Sequence, residues 1–356
     1  MKKLLLGISL VISLGLIGNF ATEAEAAKKA IVWRASSSWT AGPGHQESAE
    51  FFAKTLNELS GGRLVIKKMF SAGELMGAME VPDAVSAGKL DIGHSSLRYA
   101  TGKIPWCHYF CGSIAQSIYG MEEHLLWLWE GGGIDLFNDY MAEKGIMNII
   151  WLPAAMLESE PLWTIKPVRS LEDFKGLKIR ASGPNKDFYD RMGCAAVSMP
   201  MGEVVPALER KVIDGAEFCV PYTDIPAGLH EICPYVLAGY LHQPSASLDV
   251  YINKDSWNAL PDDLKEIVKD TAKLATFWHL TYMVDHNMKL MDKVWGKINV
   301  TVADEKIQKR AYEIGEEMAA DDAEKYPIVK EALKSQREFH NKFSKYRKFL
   351  PRIYRD

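Results

Sequence analysis

Between residues 30 and 93 the chain alternates short apolar runs with amphipathic segments, and this order restricts the fold more than any other feature. AIVWR (30–34) is a strand that enters the polar, turn-rich loop SSSWTAGPG. From about His45 to Leu59 apolar residues such as Phe51, Leu56 and Leu59 recur at helical spacing, and Ser60-Gly61-Gly62 stops the helix. LVIKKMF (64–70) is the next strand, Val81–Ala87 a helix closed by Gly88, and KLDIG (89–93) a further strand. Strands separated by helices predict a largely parallel sheet covered by those helices.

A second unit of the same build follows. MNIIWLPAAM (147–156) reads as a long strand, SLEDFKG as a short helical turn and LKIR as a strand. Asn185 caps a helix that runs to Met192 and ends at Gly193. AAVSMP (195–200) is a strand, Gly202–Arg210 a helix and VIDGAEF (212–218) a strand. After LDVYIN (248–253) the signal becomes almost entirely helical, with starts near Pro261, Asp304 and Pro327. A length of 356 residues suits two domains.

The N-terminus carries an export signal. Lys2 and Lys3 precede an apolar run from Leu4 to Ile17, and Ala24-Glu25-Ala26 offers the small residues a signal peptidase reads. The run is shorter than the ~20 residues of a spanning helix, so residues 1–26 are expected to be removed and the mature chain to be exported and soluble. Export permits disulfides, yet the five cysteines are odd in number and include no C-x-x-C pair. Buried inert thiols are the expectation; a bridge within 194–233 stays open. The net charge of -4 exerts no general pull toward nucleic acid. The basic, aromatic tail KSQREFHNKFSKYRKFLPRIYR is expected to be a solvated helix face with an apolar side packed on the body.

Motifs of catalysis are absent from the sequence. It contains no G-x-S-x-G, no P-loop and no H-E-x-x-H. Glu130-Gly131-Gly132-Gly133 reads as a turn between helices. His94, beside Ser95 and Ser96 at a strand end, is the most site-like histidine, although a lone histidine is more often structural. The expectation is a protein that is not an enzyme, with an exported enzyme as a remote alternative.

LKIRASGP (177–184) carries the strongest chemical signal. A strand ends on Arg180 and opens at once into small, turn-forming residues. A buried arginine requires a carboxylate, supplied either by the protein, from Glu158 or Glu217, or by a ligand. Its planar fork of donors fits a carboxylate through two parallel hydrogen bonds.

The stretch KPVRSLEDFKGLKIRASGPNKDFYDRMGCAAVSMPMGEVVPALERKVIDGAEF (166–218) resembles the solute-binding proteins of TRAP (tripartite ATP-independent periplasmic) transporters, the DctP-like family. SGGRLVIKKMFSAGELMGAMEVPDAVSAGKLDIG and WNALPDDLKEIV resemble further motifs of that family, so the similarity spans nearly all of the mature chain. The resemblance implies an α/β, two-domain periplasmic-binding-protein-like fold with a cleft between domains and long C-terminal helices. It places domain I at 27–152 with 241–285 returning to it, domain II at 153–240 and the C-terminal helices at 286–356. Arg180 matches the arginine that holds the carboxylate of an organic-acid ligand.

Departures from the family pattern matter as well. Glu158 is the best match to a glutamine that precedes the domain-crossing strand in the branch binding 2-oxo acids. Glu217-Phe218 stands where that branch has Glu-Trp, and Gln243 falls near its second metal carboxylate. With that anionic oxygen replaced, no metal and no cofactor are expected. Trp39 or Phe218 would wall the ligand's carbon skeleton, and Ser38 and Ser96, after strand ends, would offer hydroxyls. The implied partners are a small organic anion and the TRAP membrane permease, with no nucleic acid; the C-terminal helices permit a homodimer, since some relatives pair through them. A binding protein of another transporter, or of a chemoreceptor for a sulfonate, amino acid or polyol, is the alternative reading.

Overall fold

The computed structural model describes residues 30–158, 160–239 and 241–349; the expected signal peptide, 1–26, lies outside the described residues. In chain order the strands are β1 (Ile31–Ser37), β2 (Leu64–Phe70), β3 (Ile92–Ser95), β4 (Ile149–Glu158), β5 (Leu162–Thr164), β6 (Lys178–Arg180), β7 (Ala195–Val197), β8 (Gly215–Glu217), β9 (Tyr235–Ala238), β10 (Ser245–Asn253) and β11 (Asn299–Val302). They form two sheets, ordered β2-β1-β3-β10-β4 and β11-β9-β5-β8-β6-β7.

Each sheet has the parallel set expected from strand–helix alternation, lying at one end of its strand order: β1 is parallel to β2 and β3, and β6 to β7 and β8. Each also has antiparallel members that the alternation does not signal. β10 is antiparallel to β3 and β4, and β5 to β8 and β9. β11, within the segment expected to be almost entirely helical, pairs with β9.

The two long strands decide where the sheets meet. β4 and β10 pair from Asn253↔Ile149 to Ser245↔Glu158 and so leave the first sheet side by side. Within three residues the chain after β4 enters the second sheet as β5, and the chain between β9 and β10 returns over residues 239–244. Both strands are buried almost throughout, and β4 is apolar enough to be covered on both faces.

Helix Asp262–Val294, 33 residues or about 50 Å at 1.5 Å per residue, binds the halves together. It packs on β4, on helix His45–Leu59 of the first half and on helix Pro221–Asp224 of the second. Helix Glu305–Lys325 packs on Asn185–Arg191 of the second half, where Arg191 Nη2 donates to Asp321 at 2.8 Å. Helix Pro327–Arg347 returns to the first half and buries Ile328, Val329, Ala332, Leu333 and Gln336, so its basic residues form an outer face. The five cysteines are all free thiols; four are buried and Cys194 is half-buried. Among the described residues no helix is long and apolar enough to cross a membrane.

Candidate functional site

Because β6 and β8 run parallel with Arg180 opposite Ala216, Arg180 and Glu217 emerge at the same edge of the second sheet. That edge, at the carboxyl ends of the strands, faces the crossing segments. Arg180 is buried: its Nε donates to the Met199 carbonyl at 3.1 Å and its Nη1 to the Glu217 carbonyl at 2.7 Å. Nη1 also lies 3.3 Å from the Glu217 carboxylate. The Ser182 amide donates to that carboxylate, so the ASGP turn closes around it. Burial alone would raise the Glu217 pKa; the Arg180 charge, assisted by His242, Glu160 and Ser182, overcomes it and holds the value at about 2.

The crossing segments add two titratable side chains. Glu160, between β4 and β5, and His242, between β9 and β10, are both buried and stand 3.8 Å apart at Oε2 and Nε2. The His242 Nδ1 lies 3.0 Å from the Tyr189 hydroxyl. Burial and the Glu217 charge push the Glu160 carboxyl upward, against the opposite pull of the nearby His242. Glu160, Glu217 and His242 each offer a ligand atom within 4.8 Å of the others. Among the described residues Glu217 Oε2 and His242 Nε2 have no hydrogen-bond partner, which fits a cation held by two carboxylate oxygens and an imidazole nitrogen.

The first half closes the other side. Arg98, in the turn after β3, is buried, and its Nη2 donates to the Gly112 carbonyl at 2.7 Å while Nε has no partner among the described residues. Arg98, Arg180, Glu160, Ser96, Trp39 and Phe218 line a cavity of about 30 Å³. Two guanidinium groups and a carboxyl on so small a space form a site for a compact polar group, with aromatic rings for a carbon skeleton. The halves meet around it: Gly183, at φ +49°, lies so close to the Arg98 carbonyl that a Cβ would stand 3.0 Å from it.

The residues singled out in the sequence are not all brought together. Arg180, Phe218, Trp39 and Ser96 line the cavity, and Glu217 sits behind Arg180 as its partner. Thus the arginine has an internal carboxylate and still faces the cavity. Ser38 spends its hydroxyl on the Ala78 carbonyl and on Ser95 Oγ, each at 2.6 Å. Gln243 is buried, accepts from Asn185 Nδ2 at 3.1 Å and does not line the cavity. Glu158 is exposed at the end of β4, where it still pairs with Ser245; Glu160, past that last pair, turns inward. His94 is a structural residue: its Nδ1 accepts from Trp39 Nε1 at 2.8 Å, and burial, with the nearby His279, lowers its pKa to about 3. Sequence reasoning missed Arg98, Glu160 and His242. The Ser95-Ser96 pair marked Arg98's neighbourhood, whereas no local signal marks the other two.

Two α/β halves joined by paired crossing strands, with buried charges at the joint, define a binding protein with an interdomain cleft. Residues 35–325 match the profile of bacterial extracellular solute-binding protein, family 7, and the chain belongs to that family. It is 32% identical over 297 residues, 82% of this chain and 80% of the relative, to the monocarboxylate 2-oxoacid-binding periplasmic protein of Nostoc sp.. Its structure resembles that of a TRAP periplasmic solute-binding protein from Pseudoalteromonas atlantica with bound sodium and pyruvate, at a TM-score of 0.82 and 26% identity over 90% of this chain and 97% of that one. A TRAP solute-binding protein from Bordetella bronchiseptica, a dimer with copurified calcium and picolinate, shares the fold at a TM-score of 0.83 and 24% identity over 89% and 94%.

Proposed function

We propose that this chain is the periplasmic solute receptor of a TRAP transporter, binding a small organic anion between its halves and delivering it to the membrane permease. The observation that carries this reading is the convergence of Arg98 and Arg180, one from each half, on a single buried cavity. A carboxylate there receives charge-assisted hydrogen bonds from both sides, so the ligand favours the closed state by its contacts with both. In this reading domain I comprises 27–152 with the return of 241–285, domain II 153–240, and residues 286–356 brace the two. The named relatives are solute-binding proteins, which supports a transport role rather than catalysis.

Glu160, Glu217 and His242 are the residues that would hold a cation beside the bound carboxylate, where it would offset the charge of two acids and an anion. This departs from the sequence expectation of no metal, which counted a lost carboxylate at Gln243 but not the histidine beside it. A homodimer is supported by Leu274, Phe277, Val284 and Met288, apolar and exposed on the long helix. With Thr281 they alternate spacings of three and four, the repeat by which two helices pack.

Calorimetric titration of the mature chain with pyruvate tests the central reading, run in metal-free buffer and again with calcium added. Saturable binding is the expected result, tighter with calcium. Failure of pyruvate and of picolinate to bind under both conditions would overturn it.

A further inference from the structure

One buried histidine of the cleft stands between the two halves, apart from the candidate cation ligands. His45 is the first residue of helix His45–Leu59 in the first half, and Cys219, just past β8, belongs to the second. Both are buried, and Cys219 Sγ lies 3.2 Å from His45 Nε2, a hydrogen-bonding contact across the joint. The residue before His45 is seated on the same segment: a Cβ at Gly44 would stand 2.7 Å from Thr223 Oγ1. His45 lines the small inner cavity and also a larger outer one of about 380 Å³, between the 38–46 and 72–80 segments and the 200–203 turn. Thr223 lines this outer cavity and a further one, of about 260 Å³, toward Pro226 and Ala227. With the second half withdrawn, Cys219 leaves and these spaces open, so the imidazole meets water.

Closed, these surroundings disfavour a charged imidazole. His45 sits at the positive end of a 15-residue helix, and the Trp39 ring meets it edge-on at 4.7 Å. Arg98, Arg180 and the phenol of Tyr99 line the inner cavity with it; Glu160, the acid there, is itself pushed toward its neutral form. Of the acids lining the outer cavity, Glu80 and Glu203 are exposed to water, and Pro43, Met79 and Pro200 supply apolar wall. Glu47 on the same helix accepts from the Gly44 amide at 3.0 Å and the Tyr222 hydroxyl at 3.3 Å. Burial pushes the Cys219 thiol and the Asp224 carboxyl well up, so neither supplies an anion. His45 Nδ1 has no hydrogen-bond partner among the described residues, so a second N–H would go unmet. Burial, then His279 on the long helix and His94 on β3, lower the His45 pKa from 6.5 to about 3.

We infer that His45 couples closure to a proton: in the open cleft its imidazole takes one up from water, and closing against Cys219 expels it, so that the receptor holds its ligand at neutral pH and releases it in acid. This rests on the reading above that the halves close on a ligand, and adds the proton. The sign follows from burial. Only the open state binds the proton, so acid favours opening, and the effect is absent above pH 6.5 and grows as pH falls below it. His94 and His279 lie within the first half and the long helix, bonded to Trp39 and to the Met156 carbonyl, and stay buried in both states.

The test titrates the full mature chain with pyruvate, at a fixed calcium concentration, at about pH 7.5 and 5.5, each in two buffers of different ionisation enthalpy, so that calorimetry counts the protons released on binding. Pyruvate is ionised at both values. Wild type is expected to release close to one proton more at the lower pH and to bind about tenfold more weakly there, one pH step below the free imidazole value. His45→Gln, or His45→Asn as a second variant, is expected to lose that extra proton and most of the tenfold ratio; Glu160 and His242 titrate alike in all three proteins and drop out of the difference. Cys219→Ser is expected to release the proton as wild type does. If the wild-type count does not rise, or a His45 variant releases as many protons, or Cys219→Ser abolishes the release, the proton inference is wrong and the carboxylate reading stands. If pyruvate does not bind at either pH, the carboxylate reading itself fails and this inference with it.

Discussion

Arg180 and Glu217 stand 3.3 Å apart as an ion pair in which each side chain is 1% exposed. Removing one partner strands the other charge in a medium that cannot solvate it, which typically costs about 3–5 kcal/mol. Arg180→Met is therefore expected to abolish ligand binding and to lower stability by that order at neutral pH. Adding Glu217→Gln should restore most of the stability without restoring binding, as urea unfolding and calorimetry on the two variants would show. The Glu217 pKa is depressed, from 4.5 to about 2, so the contribution of the pair is present above pH 4.5 and lost as pH falls toward 2. The stability deficit of Arg180→Met should shrink over that interval; a constant deficit would refute the electrostatic account.

Gly183 belongs to the second half, yet the first half stands close against it, with the Arg98 carbonyl and Thr101 Oγ1 each 3.0 Å from where a Cβ would stand. Gly183→Ala carries its backbone penalty in the open and closed states alike, but the new methyl meets Arg98 only on closure. Pyruvate affinity should fall about tenfold, roughly 1.4 kcal/mol, and small-angle scattering should show a more expanded liganded protein. An unchanged affinity would mean that closure does not require this approach.

Lys211, after helix Met201–Glu209, holds φ +56°, the one non-glycine in the left-handed region among the described residues. Glycine adopts that conformation without the Cβ clash, which costs other residues about 1–2 kcal/mol. Offset by glycine's greater freedom in the unfolded chain, Lys211→Gly should raise stability by about 0.5–1 kcal/mol. Ligand affinity should not move, because Lys211 is exposed and lines none of the cavities described here.

His279 is buried on the long helix, its Nδ1 3.1 Å from the Met156 carbonyl. Burial lowers its pKa from 6.5 to about 4, against the opposite pull of that carbonyl. Between those values the unfolded chain binds a proton that the folded one refuses, so this group costs stability as pH falls from 6.5 toward 4. His279→Gln cannot titrate. It should be the less stable protein at pH 7.5, with the gap to wild type closing by roughly 2–3 kcal/mol at pH 4.5, read from urea midpoints at the two pH values.

Phe277 and Met288 are exposed about three turns apart on one stripe of the long helix. If that stripe is the seam of a homodimer, Phe277→Glu with Met288→Glu places like charges in it. Sedimentation should show wild type as a dimer and the double variant as a monomer with an unchanged melting temperature. A monomeric wild type would remove the proposal.

Local signals account for the parts of the fold that the sequence discloses. Helix His45–Leu59 and strand Leu64–Phe70 agree with their sequence reading to the residue, because apolar spacing and the Ser60-Gly61-Gly62 stop act within a few residues. β5, β9 and β11, each three or four residues long, escape it. The site divides in the same way. Arg180 is legible because a guanidinium at a strand end, next to a glycine-containing turn, is a conflict visible in eight residues.

Glu160 and His242 are not legible, since nothing near either one indicates what it will meet. LESEP contains two acids two residues apart, and only the end of the β4–β10 ladder at Glu158↔Ser245 determines which of them turns inward. The sequence by itself determined the two α/β halves and the arginine that faces the cleft, because periodicity, turn chemistry and the cost of burying a charge are local properties. The tertiary structure alone decided which acid and which histidine join Glu217, and where the cleft is charged and where it is apolar. Those depend on two crossing segments being held side by side, an arrangement set by long-range strand pairing.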